Sequence, residues 1–146
     1  MHKHLLLIFS CITLGITSCN VSQNTPQVSD AKSETSSATS VIGKLAADQL
    51  DAYNRADLDG FCACYHPEVR VFDGETEKPP GIEAFRERYV NMFANGGFGA
   101  GVSTRIVHGD HCVDLEQWWR DSGKRGKVLV RYTAKDGLIG VVQFLK

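Results

Sequence analysis

The stretch Tyr53–Phe93, YNRADLDGFCACYHPEVRVFDGETEKPPGIEAFRERYVNMF, reads as helix, short strand, loop and helix, and its reading decides the fold. Tyr53 closes an apolar stripe that begins upstream. Ile42, Leu45, Gln49 and Tyr53 recur at i, i+3, i+7 and i+11, one face of a helix whose odd polar member is Gln49. Asp57 is placed to cap a second helix with Leu58, Phe61, Cys62 and Tyr65 on one side. His66-Pro67 stops it, because a residue before proline is driven away from helical angles. Val69-Arg70-Val71-Phe72-Asp73 then alternates with period two, and Gly74 ends the run. Pro79-Pro80-Gly81 introduces a third helix with Ile82, Phe85, Tyr89 and Phe93 on one face, closed by Asn95-Gly96-Gly97.

Downstream the period changes from helix to strand. After the glycine-rich segment 96–101, Val102–His108 reads as a strand turned by Gly109-Asp110. His111–Arg120 follows, with Val113, Leu115 and Trp119 on one face and Asp114, Glu116 and Trp118 on the other. A turn over 121–126 leads to a strand over 127–133, and Lys135-Asp136-Gly137 makes a tight turn into a last strand over 138–145. Helices first and hairpins after make an α+β domain, its helices segregated to one face of a sheet. No segment recurs with a period of 20–50 residues, which excludes a repeat architecture.

Upstream the chain reads as a means of delivery. Residues 1–18 carry a short basic start, the apolar run Leu5–Phe9 and small residues before Cys19, which together predict a secretory signal; the run is too short to cross a bilayer. Ile16-Thr17-Ser18-Cys19 resembles the lipobox of bacterial lipoproteins. That resemblance implies cleavage before Cys19, lipidation of its thiol and acylation of its amine, and Asn20 resembles the residue of outer-membrane-sorted members. Stable anchoring follows from several acyl chains. The expected place is therefore the bacterial envelope, on the outer membrane and facing the periplasm. Residues 19–40 are the lipidated cysteine and a Ser/Thr-rich tether without an aromatic residue, which cannot bury enough surface to offset its ordering entropy and is expected to be disordered. As a flexible coil it spans roughly 25 Å. The folded domain is expected over 41–146.

The whole chain has 146 residues, 42% hydrophobic and 23% charged, enough for one domain with a core. Its formal net charge of −1 becomes −2 without residues 1–18, which hold Lys3 and no anion. The only basic cluster, Lys124-Arg125-Gly126-Lys127, reads as a solvated turn, so the charge pattern gives no basis for nucleic-acid binding.

From Leu50 to Phe93 the chain resembles the opening of the SnoaL-like and ketosteroid-isomerase-like branch of the nuclear transport factor 2-like (NTF2-like) superfamily. The residues that carry the likeness are YNRADLDGFCACYHPEVRVFDG and PPGIEAFRERYVNMF, with a looser likeness to the C-terminus. The resemblance implies three helices packed on a curved antiparallel sheet, a cone with an inner pocket for a small hydrophobic molecule, and homodimers through the sheet face. It does not imply one activity, since the fold hosts enzymes, binding modules and adaptors. A non-catalytic scaffold or protein-interaction domain acting through the sheet face is the alternative.

Asp73 shares the phase of Val69 and Val71. If that phase faces the helices, desolvation raises its pKa toward that of a general base, and the resemblance places the proton-shuttling Asp of ketosteroid isomerases here. Isomerase-like or lyase-like chemistry is therefore expected at Asp73. Steroid isomerisation itself is not, because Gln49 stands where the family's oxyanion tyrosine falls and Arg125 near its protonated Asp. Gln117 and Tyr132 are polar residues on otherwise apolar strand phases, and with Gln49, Tyr53, Tyr65 and Tyr89 they are the candidate ligand-binding residues. No cofactor is implied. His66, His108 and His111 lack metal-binding spacing, so no metal is expected. With Cys11 removed and Cys19 lipidated, Cys62, Cys64 and Cys112 remain; Cys62 reads as core, and a bond between Cys64 and Cys112 is open in an oxidising envelope.

Overall fold

The computed structural model describes residues 40–146; the expected signal, Cys19 and the expected tether up to residue 39 lie outside the described residues. Three helices, α1 (Val41–Asn54), α2 (Leu58–Ala63) and α3 (Ile82–Asn95), pack on six strands: β1 (Tyr65–Asp73), β2 (Thr76–Glu77), β3 (Phe98–His108), β4 (His111–Arg120), β5 (Arg125–Lys135) and β6 (Leu138–Leu145). The sheet order is β2-β1-β6-β5-β4-β3. All pairings are antiparallel except β1 with β6, which run parallel, so the sheet is mixed rather than wholly antiparallel as expected. The chain reaches that parallel pairing because β1 is drawn early, between α2 and α3, while β6 closes the hairpin series.

Local chemistry sets the helix limits. The Ser40 side chain accepts from the Gly43 amide at 3.4 Å and Asp57 accepts from the Gly60 amide at 2.8 Å, satisfying amides that a helix start leaves orphaned. Gly81, at φ 93°, donates its amide to the Val69 carbonyl oxygen at 2.8 Å and so fastens the start of α3 to β1. The Asp136-Gly137 turn has both central residues at positive φ, 50° and 77°, as a two-residue hairpin requires.

Two boundaries differ from the sequence reading. Helix α2 ends at Ala63, and Tyr65 opens β1 instead of closing the helix. His66-Pro67 falls in an irregularity of the β1–β6 pairing, where Tyr65 faces Ile139 and Arg70 faces Val141. A proline cannot donate to a ladder, and this unpaired excursion accommodates it. Further irregularities at Val102/Thr104 and Thr133/Ala134 bend the sheet around the helices.

The core lies between helices and sheet: Ile42 and Ala46 of α1, Phe61 and Cys62 of α2, Phe85 and Phe93 of α3, and Val69, Val71, Val130, Ile139 and Val142 of the strands. Phe61 sits at its aromatic centre, with the rings of Tyr65, Phe85, Tyr89 and Phe93 at 5.0–5.5 Å. The three thiols Cys62, Cys64 and Cys112 are buried and unbridged. Burial pushes the Cys112 thiol up to about 12, the Asp114 carboxylate beside it adding to the rise, which leaves it un-ionised at neutral pH.

Candidate functional site

The aromatic packing does not fill the cone. A cavity of about 450 Å³ remains, walled by Tyr53, Phe61, Tyr65, Met92, Trp118, Val128, Val142 and Phe144, among others. Of the residues singled out in the sequence, Gln49, Tyr53, Tyr65, Tyr89 and Tyr132 line it.

Four side chains form a hydrogen-bonded row from the roof to the sheet. The Gln49 amide nitrogen donates to the Ala46 carbonyl oxygen and to the Tyr132 hydroxyl, both at 3.2 Å. A main-chain carbonyl only accepts, so the atom facing it must be the NH2 group, and the Gln49 oxygen faces Tyr65. Tyr65 donates to that oxygen at 3.0 Å. The Tyr132 hydroxyl, already an acceptor, has its own proton to give, and it donates to Glu116 Oε1 at 2.6 Å. The row therefore runs in one direction and ends on a carboxylate. Phenol and amide are both neutral donors here, since burial holds the pKa of Tyr65 and of Tyr132 well above the ordinary tyrosine value.

Glu116 also lines the cavity, and Oε2 has no hydrogen-bond partner among the described residues. Burial raises its pKa; the Tyr132 hydrogen bond opposes the rise, and nearby Asp114 and Arg105 act in opposite senses. A carboxyl in this position, its pKa raised by burial, faces a molecule in the cavity as a group able to take or give a proton.

Behind Glu116 on the same face, Asp114 is wholly buried and forms a two-point ion pair with Arg105 of β3, Nε–Oδ1 2.7 Å and Nη2–Oδ2 2.6 Å. Arg105 also donates to the Gly43 carbonyl oxygen at 3.3 Å, tying the sheet to α1. This pair holds β3 and β4 in the register that aims Glu116 into the cavity.

The inner face of β4 is thus Cys112, Asp114, Glu116 and Trp118, the opposite of the apolar phase expected to face the helices. Gln117 is accordingly exposed on the outer face and does not line the inner cavity. Asp73 is not among the cavity residues either. It ends β1, its side chain 43% exposed, with Lys146 Nζ at 3.1 Å and Lys78 Nζ at 3.7 Å. The hydrogen bond from Lys146 holds its carboxyl below the usual range, the reverse of the elevation expected of a general base. Glu116, Trp118, Arg120 and Lys124 are cavity residues that sequence reasoning did not single out. The available signal was two acids alternating with Cys112 and Trp118 on one strand phase.

Gln49 has both amide hydrogens engaged, and Arg125 is exposed at the start of β5. Neither aims a donor into the cavity, so the oxyanion pair of the ketosteroid isomerases has no counterpart at those positions. Among the described residues no cluster of three or more His, Cys, Asp or Glu converges as a metal would need.

Residues 46–141 match the family model of the SnoaL-like domain, most of the described fold. The chain belongs to the SnoaL-like domain family. No curated protein matches it in sequence. Among solved structures, this SnoaL-like domain is similar to a putative polyketide cyclase from Sinorhizobium meliloti (TM-score 0.60, 20% identity, 69% of this chain and 93% of that one). It is similar to a putative ketosteroid isomerase from Kribbella flavida (TM-score 0.57, 20% identity, 70% and 74%). A computationally designed 17-OHP binder is a third (TM-score 0.66, 13% identity, 73% and 91%). At these identities the likeness is one of fold.

Proposed function

We propose that the SnoaL-like domain binds a small, largely apolar molecule in its cavity and exchanges a proton with it through Glu116. The observation that carries this reading is the Glu116 carboxyl, the one carboxyl in the cavity lining among the described residues, backed by the Tyr132–Gln49–Tyr65 row and set among mostly aromatic and aliphatic walls. The general-base role expected of Asp73 passes to Glu116, because Asp73 lies outside the cavity lining, half-buried and paired with lysines. Similarity to a putative polyketide cyclase, a putative ketosteroid isomerase and a designed binder supports a small-molecule site; the missing oxyanion pair argues against steroid isomerisation.

A carboxyl-detected NMR titration tests this. Glu116 is expected to titrate above the ordinary glutamate value of about 4.3, and Tyr132→Phe to move its midpoint further up, since the phenol favours the charged form. A midpoint at or below the ordinary value removes the acid–base role. The sign for stability follows: between the ordinary and the raised value the folded state holds the proton that the unfolded state has lost, so Glu116 makes stability fall as pH rises through that window.

A protein-interaction role is the second reading. It rests on the outer sheet face, where Ile106 is 63%, Leu129 39% and Trp119 38% exposed, a surface suited to a second copy of the chain. It is the reading left standing if Glu116 titrates as an ordinary side chain.

Anchoring at the envelope through Cys19 belongs to the same proposal. Replacing Cys19 with Ser is expected to move the protein from the membrane to the soluble fraction; retention in the membrane places the anchor elsewhere.

A further inference from the structure

The cavity carries two cations, Arg120 and Lys124, neither of which is paired with an acid among the described residues. Arg120 ends β4 on the cavity side, half-buried, and the protein groups its guanidinium touches are neutral. Nη1 donates to the Tyr53 hydroxyl at 3.1 Å and to the Trp119 carbonyl oxygen at 3.2 Å; Nη2 lies 3.0 Å from the Met92 sulfur. The charge also sits 5.5 Å from the Phe98 ring centroid and 5.7 Å from that of Trp118. These contacts orient the guanidinium without neutralising it, and among the described residues it makes no ion pair. Lys124 lines the same cavity. The Arg120 amide donates to the Lys124 carbonyl oxygen at 2.9 Å, so the β4–β5 turn keeps the two cations together. Lys124 likewise makes no ion pair among the described residues.

Glu116 is the only carboxylate lining the cavity among the described residues, and it lies four residues down the same strand from Arg120. At about 3.3 Å per residue the two Cα atoms stand roughly 13 Å apart. Trp118 fills the inner position between them, its indole lying against Gly126, where an added Cβ would come within 2.6 Å of the ring. The site therefore has a cationic end, an aromatic middle and an acid–base end. A ligand that satisfies all three has a flat apolar body bearing an anionic group at one end. Its other end, carrying the exchangeable proton, meets Glu116. A neutral ligand would cover the half-buried Arg120 guanidinium without supplying a counter-charge.

We propose that the ligand is an amphiphilic organic anion, an aromatic or polycyclic carboxylate or an equivalent acid, with Arg120 and Lys124 reading its charge. This rests on the reading of the cavity as a ligand site, and its test separates the two. The probes are 8-anilino-1-naphthalenesulfonate and its uncharged counterpart N-phenyl-1-naphthylamine, titrated by fluorescence against the folded full chain at low ionic strength. The sulfonate is expected to bind about 10-fold or more tightly than the neutral amine, the range of a charge-assisted hydrogen bond. Arg120→Gln should remove that advantage and leave the neutral amine within about twofold of the original. Arg120→Lys should restore part of it, and added salt should weaken the sulfonate alone. Near-UV circular dichroism checks that each variant is folded; should Arg120→Gln fail to fold, Lys124→Gln and the salt series carry the same comparison. Equal affinity for both probes, or equal losses for both in Arg120→Gln, overturns the anion assignment and keeps the cavity as a site. Failure of both probes to bind overturns the cavity reading and the anion assignment with it.

Discussion

Replacing Asp114 with Ala is expected to cost the fold about 3–5 kcal/mol, the usual penalty for breaking a buried ion pair from one side. Asp114 is wholly buried, and its partner Arg105 has a side chain only 21% exposed. Truncation leaves the guanidinium with the Gly43 carbonyl oxygen as its remaining acceptor among the described residues, inside a region that water enters poorly. The loss is a third or more of the 5–15 kcal/mol typical of a domain. It should appear in urea unfolding as a lower midpoint with an unchanged slope. The double replacement Arg105→Met with Asp114→Leu removes both charges and should recover most of the loss, since well-packed apolar residues substitute for such pairs at little cost. A single-variant loss under about 1 kcal/mol would mean that the pair does not hold β3, β4 and α1 together.

The helices were legible in the sequence because each carries one apolar stripe that needs no information from elsewhere. Ile42, Gln49 and Tyr53 do face one interior, and Phe85 and Phe93 do share the buried side of α3. Gln49, the anomaly in its stripe, became the hinge of the hydrogen-bonded row. Strand β4 departs from its sequence pattern for a physical reason. Alternation assigns the apolar phase to the inside, but here the inside holds Asp114 and Glu116. What makes that tolerable is Arg105 on β3 and Tyr132 on β5. Neither partner can be recognised from β4 alone, because the pairing depends on sheet register. The same holds for Asp73. Its phase matches Val69 and Val71, both buried, but it sits at the strand end, where Lys146 and Lys78 arrive from the C-terminus and the following loop. Tyr132 is legible in the sequence because its neighbours Val128 and Val130 make its phase unambiguous.

The proposed role of Glu116 in moving a proton in the cavity is tested by removing its charge, the larger of the two expected effects. Glu116→Gln keeps an oxygen for the Tyr132 hydroxyl and nearly the same volume, so the row and the cavity should persist while the base is lost. General acid–base groups contribute about 10²–10⁴-fold to rate. A bicyclic ketone such as 2-tetralone, whose α-carbon hydrogens are acidic, supplies the simplest reporter. Glu116 takes one hydrogen as a proton, the acid exchanges with D2O, and a deuteron returns to carbon, with no net change besides the isotope. Asp73→Asn serves as the control and should leave the rate unchanged. The decisive measurement is deuterium uptake into 2-tetralone, followed by proton NMR in D2O at neutral pH. Uptake well above buffer is expected with the unaltered protein, with a loss of about 100-fold or more in Glu116→Gln; uptake no faster than buffer, or a rate that Glu116→Gln leaves intact, would overturn the proton-transfer role of Glu116.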